Sequence, residues 1–172
     1  SQTVFNSADI TMLGLMKGDY AVGIYSTAAK IEKVISQIVS SVVYVLIPRL
    51  SYMFDSGEYE KINKLLRNVL GVFATIGLPS CAGAAVMAKE IILIVGGVKY
   101  VEATLVLQIL LLSFLFSLVG GSFLGNVVLL PSGNEKQFMI ICCISTVVNV
   151  IANAFLIPRW GAYAAAGTTA FS

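Results

Sequence analysis

The chain has 172 residues, of which 58% are apolar and 12% charged, with a mean hydropathy of +0.90. That composition excludes a disordered chain, and a soluble globule of this length could not bury so much apolar surface. A net charge of +2 from 11 basic and 9 acidic residues gives no basic footprint for nucleic acid, and the absence of His removes the commonest metal ligand and general base. The expectation is an all-α integral membrane protein.

Reading in chain order, a first apolar segment at 1–16 carries Asp9, with Gln2 and Asn6 at helical spacing before it. A longer run at 20–48 contains Lys30, Glu32 and Lys33. Residues 49–68 hold seven charges. Within them Tyr59, Ile62, Leu66 and Val69 recur at three- and four-residue steps, opposite Glu58, Glu60, Lys61, Lys64 and Arg67. This pattern predicts an interfacial amphipathic helix leading into the next span. The run at 69–88 is uncharged and carries Pro79 at its middle, where a kink is expected because the ring removes an N–H and clashes with the Thr75 carbonyl. A connection at 89–102, broken at Gly96-Gly97, precedes uncharged runs at 103–134 and 137–158 and a last apolar stretch at 163–172.

The count is four whole spans plus two partial ends. The chain starts without Met in apolar sequence and stops inside another apolar stretch, with no signal-peptide pattern, so it reads as a fragment of a larger membrane protein. Lys and Arg in the connections number five on one side and four on the other. The positive-inside rule then puts residues 49–68 and the turn at 131–134 in the cytoplasm.

Polar stripes carry the functional reading. Ser26, Lys30, Lys33, Gln37, Ser40 and Tyr44 follow one another at steps of three and four and share one helix face; Glu32 falls off it. Lys33 lies 14 residues from Asp19 and 15 from Pro48, roughly 21–22 Å of helix either way. An ammonium so placed costs at least about 2.5–3.5 kcal/mol against lipid, so it should face a partner or water. Two readings stand side by side: Lys30 and Lys33 snorkel or pair with Asp9 as structural glue, or they line an aqueous cavity and meet an anionic solute. Asp9 is expected to pair with one of these lysines, with proton or ion coupling as its second reading. Ser145, Asn149 and Asn153 form an i, i+4, i+8 row that either bonds a neighbouring helix or lines a cavity.

Two rows of small residues, Ser113, Ser117, Gly121, Gly125 and Gly77, Cys81, Ala85, predict close helix packing. Cys81, Cys142 and Cys143 read as small core hydrophobes. Adjacent Cys142 and Cys143 point about 100° apart, which is wrong for sharing a metal. No nucleophile–base pair, usable carboxylate pair or phosphate-binding loop appears, so neither an enzyme nor a cofactor is expected.

The stretches Asp9-Ile10-Thr11-Met12-Leu13-Gly14, Val22-Gly23-Ile24-Tyr25-Ser26-Thr27-Ala28-Ala29-Lys30-Ile31, Ile47-Pro48-Arg49-Leu50-Ser51 and Asn134-Glu135-Lys136 occur in order, followed by Asn153 to Pro158 and then Gly161 to Gly167. In this series the chain resembles the polysaccharide (O-antigen and capsule type) flippases of the multidrug/oligosaccharidyl-lipid/polysaccharide exporter superfamily. The resemblance implies a MATE-like six-helix lobe, here partial, that would be most of the second of two lobes around a central cavity working by alternating access. It further implies movement of polyprenyl-diphosphate-linked sugar repeat units across a bacterial plasma membrane, with the first lobe of the same protein and the lipid bilayer as partners. By resemblance Lys30 lies in the family's A–K–I stretch and would meet the substrate; Ser26, Lys33 and Gln37 join it by their spacing on the same face and not by a family motif. Asp9 and Glu32 would pair charges or couple a cation. The alternatives are a cation-coupled multidrug exporter of the same superfamily and a non-transporting membrane scaffold subunit.

Overall fold

In a computed structural model the described residues, 2–170, are helical apart from short turns, with no strand among them. Helices α1 (Gln2–Lys17) and α2 (Asp19–Asp55) are joined at Gly18, whose φ of 81° only glycine adopts without strain. Helix α3 (Tyr59–Val72) passes through a π-helical turn at Phe73–Gly77 into α4 (Leu78–Val86). Short α5 (Ala88–Gly96) and one 3₁₀ turn at Val98–Tyr100 lead to α6 (Ala103–Ser117), which continues as a π-helix over Leu118–Leu129. The turn at 130–134 leads into α7 (Glu135–Trp160), and α8 (Ala162–Ala170) closes the described chain.

Three helical stretches are long and apolar enough to cross a membrane: Asp19–Asp55, Tyr59–Val86 and Glu135–Trp160. The sequence pattern had a further whole span at 103–134. There the α-helical part is the shorter Ala103–Ser117, and the remainder winds as the π-helix, in a stretch carrying Gly120, Gly121 and Gly125 that weakly favours α geometry.

Two further differences have local causes. The run at 20–48 does not end at Pro48: α2 carries the proline inside it and continues to Asp55, because Leu50 and Met53 are buried against Ile62 and Val69 of α3 and repay the lost hydrogen bond. At 37 residues α2 is about 55 Å long, far more than the ~30 Å hydrocarbon layer. The charged segment is thus the tip and base of a helical hairpin, and α3 runs without a break into the span it precedes. Tyr59, placed by its spacing on the apolar face of α3, is exposed; Ile62 and Val69 are buried as expected. The disturbance at Pro79 takes a definite form. The π-helical turn at Phe73–Gly77 widens the winding at the Thr75 carbonyl, which the proline ring would otherwise strike.

The core has two parts. One, at α1, α2, α5, α6, α7 and α8, centres on Leu13, Tyr25, Ile92, Leu107 and Ile157. The other, toward the hairpin, holds Val39, Leu50, Met53, Ile62, Val69, Phe73, Cys81 and Phe114. Helix α6 packs most extensively against α8 and α2, and α7 against α8 and α1. The small residues do the packing expected of them where their surroundings are described. Ser113 is buried and donates to the Ala166 carbonyl at 3.3 Å, and Cys81 is buried. Gly125 lies directly beneath the Phe138 ring, leaving no room for a Cβ. Gly125→Ala is therefore expected to lower stability by about 1–3 kcal/mol, read as a fall in melting temperature of the purified full-length protein. Of the other two cysteines, Cys142 is half-buried and Cys143 exposed, so the reading of all three as core residues holds only for Cys81.

Candidate functional site

Helix α2 presents three different faces. Tyr25, Ala28, Ala29, Ser36 and Val39 are buried against the rest of the lobe. Lys30, Lys33, Gln37 and Tyr44 are exposed, and Ser26 and Ser40 half-buried beside them, so the polar stripe lies on the side that the lobe's own core does not claim. Val34, Ile38 and Val45 are exposed too, on a third strip about 100° round from Lys33 and Gln37. One edge of the exposed arc is thus polar and cationic, the other aliphatic. Glu32 is half-buried on the inward side.

The structure does not bring Asp9 to the lysines. Asp9 is fully buried, and its carboxylate collects donors from three other helices. The Tyr25 hydroxyl of α2 donates to Oδ2 at 2.8 Å, the Thr169 hydroxyl of α8 donates to Oδ2 at 3.0 Å, and Asn153 Nδ2 of α7 donates to Oδ1 at 2.5 Å. Asn153 in turn donates to Asn149 Oδ1 at 3.0 Å and accepts from Thr168 Oγ1 at 2.5 Å. Tyr25 sits about 140° round α2 from Lys30 and about 80° from Lys33, which is why one helix sends its tyrosine to Asp9 and its lysines elsewhere. Among the described residues the ion pair is Lys61–Glu58, far from either group. The expected Asp9–lysine pairing is replaced by a neutral-donor network in which one carboxylate ties α1, α2, α7 and α8 together.

Asn149 and Asn153 are both buried, and both belong to that network. Asn149 and Thr168 also line a groove of about 380 Å³ between α7 and α8, whose other walls include Leu156, Trp160 and Tyr163. Asn153 thus bonds neighbouring helices, and Asn149 accepts from it within α7 while lining a recess. Tyr25, Thr168 and Thr169 were not singled out from the sequence. The signal available was a pair of adjacent threonines in the otherwise Ala- and Gly-rich Ala162–Ala170, and an aromatic hydroxyl next to Ser26. Gln2 and Asn6, the supports expected for Asp9, lie outside the residues whose side chains are described. Among the described residues no cluster of metal-ligating side chains is present.

A family model described as "Polysaccharide biosynthesis protein" matches residues 1–105. The chain belongs to that family. Among curated relatives it is 27% identical over 168 residues to a Haloferax volcanii protein named "Probable low-salt glycan biosynthesis flippase Agl15", covering 95% of this chain and 34% of the relative. It is 24% identical over 155 residues to the Staphylococcus aureus "Capsular polysaccharide biosynthesis protein CapF", covering 90% of this chain and 39% of that protein. This family member thus spans about a third to two fifths of the length of these relatives. No solved structure matches it. The likeness to polysaccharide flippases read from the sequence is borne out, as is the all-α, membrane-spanning fold.

Proposed function

We propose that this chain is part of the second lobe of a flippase that moves a polyprenyl-diphosphate-linked oligosaccharide from the cytoplasmic to the outer leaflet of the plasma membrane by alternating access. The observation that carries the reading is the position of Lys30 and Lys33. They lie well inside a membrane-crossing helix, exposed, on a face that the lobe's own core leaves open. Charged groups at such a depth are stable only facing water or a counter-charge. A diphosphate supplies the counter-charge, and Ser26 and Gln37 on the same stripe supply hydrogen bonds to phosphate or sugar oxygens. The aliphatic strip of Val34, Ile38 and Val45 beside it suits a substrate that is half ionic and half isoprenoid. Family membership and the names of the two relatives support this class over a drug exporter or a scaffold, and transport over catalysis.

Asp9 takes the coupling role in this reading. A carboxylate held by Tyr25, Asn153 and Thr169, with no basic side chain among these partners, can exchange a proton or a small cation. Each exchange would loosen or tighten the ties between α1, α2, α7 and α8. The lobe would act with the first lobe of the full-length protein, each forming one wall of the route.

The test is reconstitution of the full-length protein in liposomes with a fluorescent polyprenyl-diphosphate oligosaccharide. Protein-dependent movement of this lipid between leaflets, without movement of a cationic drug, is the expected result. Drug movement alone, or no movement of either, refutes the assignment.

A further inference from the structure

We propose that the base of the α2–α3 hairpin is a docking site for the headgroup of an anionic phospholipid, built from Lys64 and Arg67 with Asn63 and Asn68. Charge along the hairpin is sorted by height. Its acids, Asp55, Glu58 and Glu60, stand at or near the turn at Ser56–Gly57, whereas Lys64 and Arg67 stand nearer the membrane. The uncharged stretch begins at Val69 and runs to Ala88. Arg67 and Lys64 precede Val69 by two and five residues, so they lie roughly 3 and 8 Å outside the apolar segment, within the depth of a headgroup layer.

The face is held in place from behind. Ile62 and Val69 are buried against Leu50 and Met53, which turns Asn63, Lys64, Arg67 and Asn68 outward together. These four, with Glu60 at the outer rim, line a shallow recess of about 470 Å³. Glu58 is taken by Lys61, its ion pair closing at 2.8 Å, and Glu60, four residues before Lys64, makes no ion pair with it among the described residues. Lys64 and Arg67 have no ion-pair partner among the described residues. Bases at the foot of the hairpin stand where the anionic surface of a membrane would attract them. The guanidinium can grip a phosphate through two N–H groups, and the ammonium and the amides of Asn63 and Asn68 can reach the remaining oxygens or a glycerol hydroxyl.

The test uses the full-length protein in detergent, with bound lipid counted by native mass spectrometry as phosphatidylglycerol, phosphatidylcholine or inorganic phosphate is titrated in. Wild type is expected to retain phosphatidylglycerol over phosphatidylcholine, K64Q/R67Q to retain at least about tenfold less of it, and K99Q, at a different loop, to behave as wild type. Equal retention of the two lipids, equal retention by wild type and K64Q/R67Q, or displacement of the lipid by inorganic phosphate at matched concentration would each overturn the proposal. Should K64Q/R67Q fail to accumulate, R67Q alone decides by the same preference: wild-type retention in that variant also overturns it.

Discussion

Replacing both Lys30 and Lys33 by Gln should abolish polysaccharide export while leaving the protein in the membrane at its normal level. Each ammonium–phosphate contact is a charge-assisted hydrogen bond, for which about 1.5–3 kcal/mol is typical. Losing two lowers binding of a diphosphate by roughly 3–6 kcal/mol, a factor of at least about a hundred. The fold has no need of them: both side chains are exposed, and neither has an ion-pair partner among the described residues. Taking two charges out of a membrane helix, if anything, eases insertion. K30R/K33R should keep most of the export, since guanidinium serves a phosphate equally well. The check is surface polysaccharide measured against protein level in a strain carrying only the variant. Normal export by K30Q/K33Q would remove the lysines from the mechanism.

The second large effect is at Asp9. Asp9→Ala takes the acceptor from three donors at once, but they do not suffer equally. Asn153 keeps Asn149 as an acceptor, and Thr169 keeps the Ala165 carbonyl at 2.9 Å. The Tyr25 hydroxyl, its side chain fully buried, is left with the Thr169 hydroxyl in place of a carboxylate. Weakening that buried hydrogen bond costs about 0.5–1.5 kcal/mol, and the space left by the carboxyl adds to it. Relief from burying a charge works the other way. The net expectation is a clear loss of stability, read as a melting-temperature drop in the full-length protein, that the double variant Asp9→Ala with Tyr25→Phe partly recovers. Asp9→Asn should instead stay folded, because its carbonyl still accepts from Tyr25, yet lose any dependence of transport on a proton or cation gradient. An Asp9→Asn protein that transports with unchanged gradient dependence would confine Asp9 to a structural role.

Much of this architecture was legible from periodicity because a membrane makes periodicity simple. Uncharged runs longer than a bilayer must be helices, and the spacing from Ser26 to Tyr44 fixes a common face whatever lies opposite. The α2 stripe lies on one side of its helix, with Lys30, Lys33, Gln37 and Tyr44 exposed and Ser26 and Ser40 half-buried. The features that escaped depend on partners distant in sequence. Pro48 looks like a stop until Leu50 and Met53 find Ile62 and Val69 across the hairpin. Pro79 announces a distortion, but a π-helical turn at Phe73–Gly77, with Gly77 close against Leu118 and Val39, is a detail that periodicity does not carry. Asp9 was matched to the lysines of the α2 stripe, Lys30 and Lys33, by charge alone. The fold answered with hydroxyls and an amide from residues 16, 144 and 160 positions away. Buried carboxylates can be satisfied by dipoles as well as by charges, and a single sequence does not show which of these is close.

The central claim is that the Lys30–Gln37 edge of α2 faces water within the membrane while the Val34–Ile38 strip faces acyl chains. It is tested most directly by placing single cysteines at positions 30, 33, 37, 34 and 38 of a cysteine-free full-length protein. Each is then exposed, in intact membranes, to a membrane-impermeant thiol reagent. The account predicts fast labelling at 30, 33 and 37 and little at 34 and 38. Uniformly slow labelling at all five positions would contradict it.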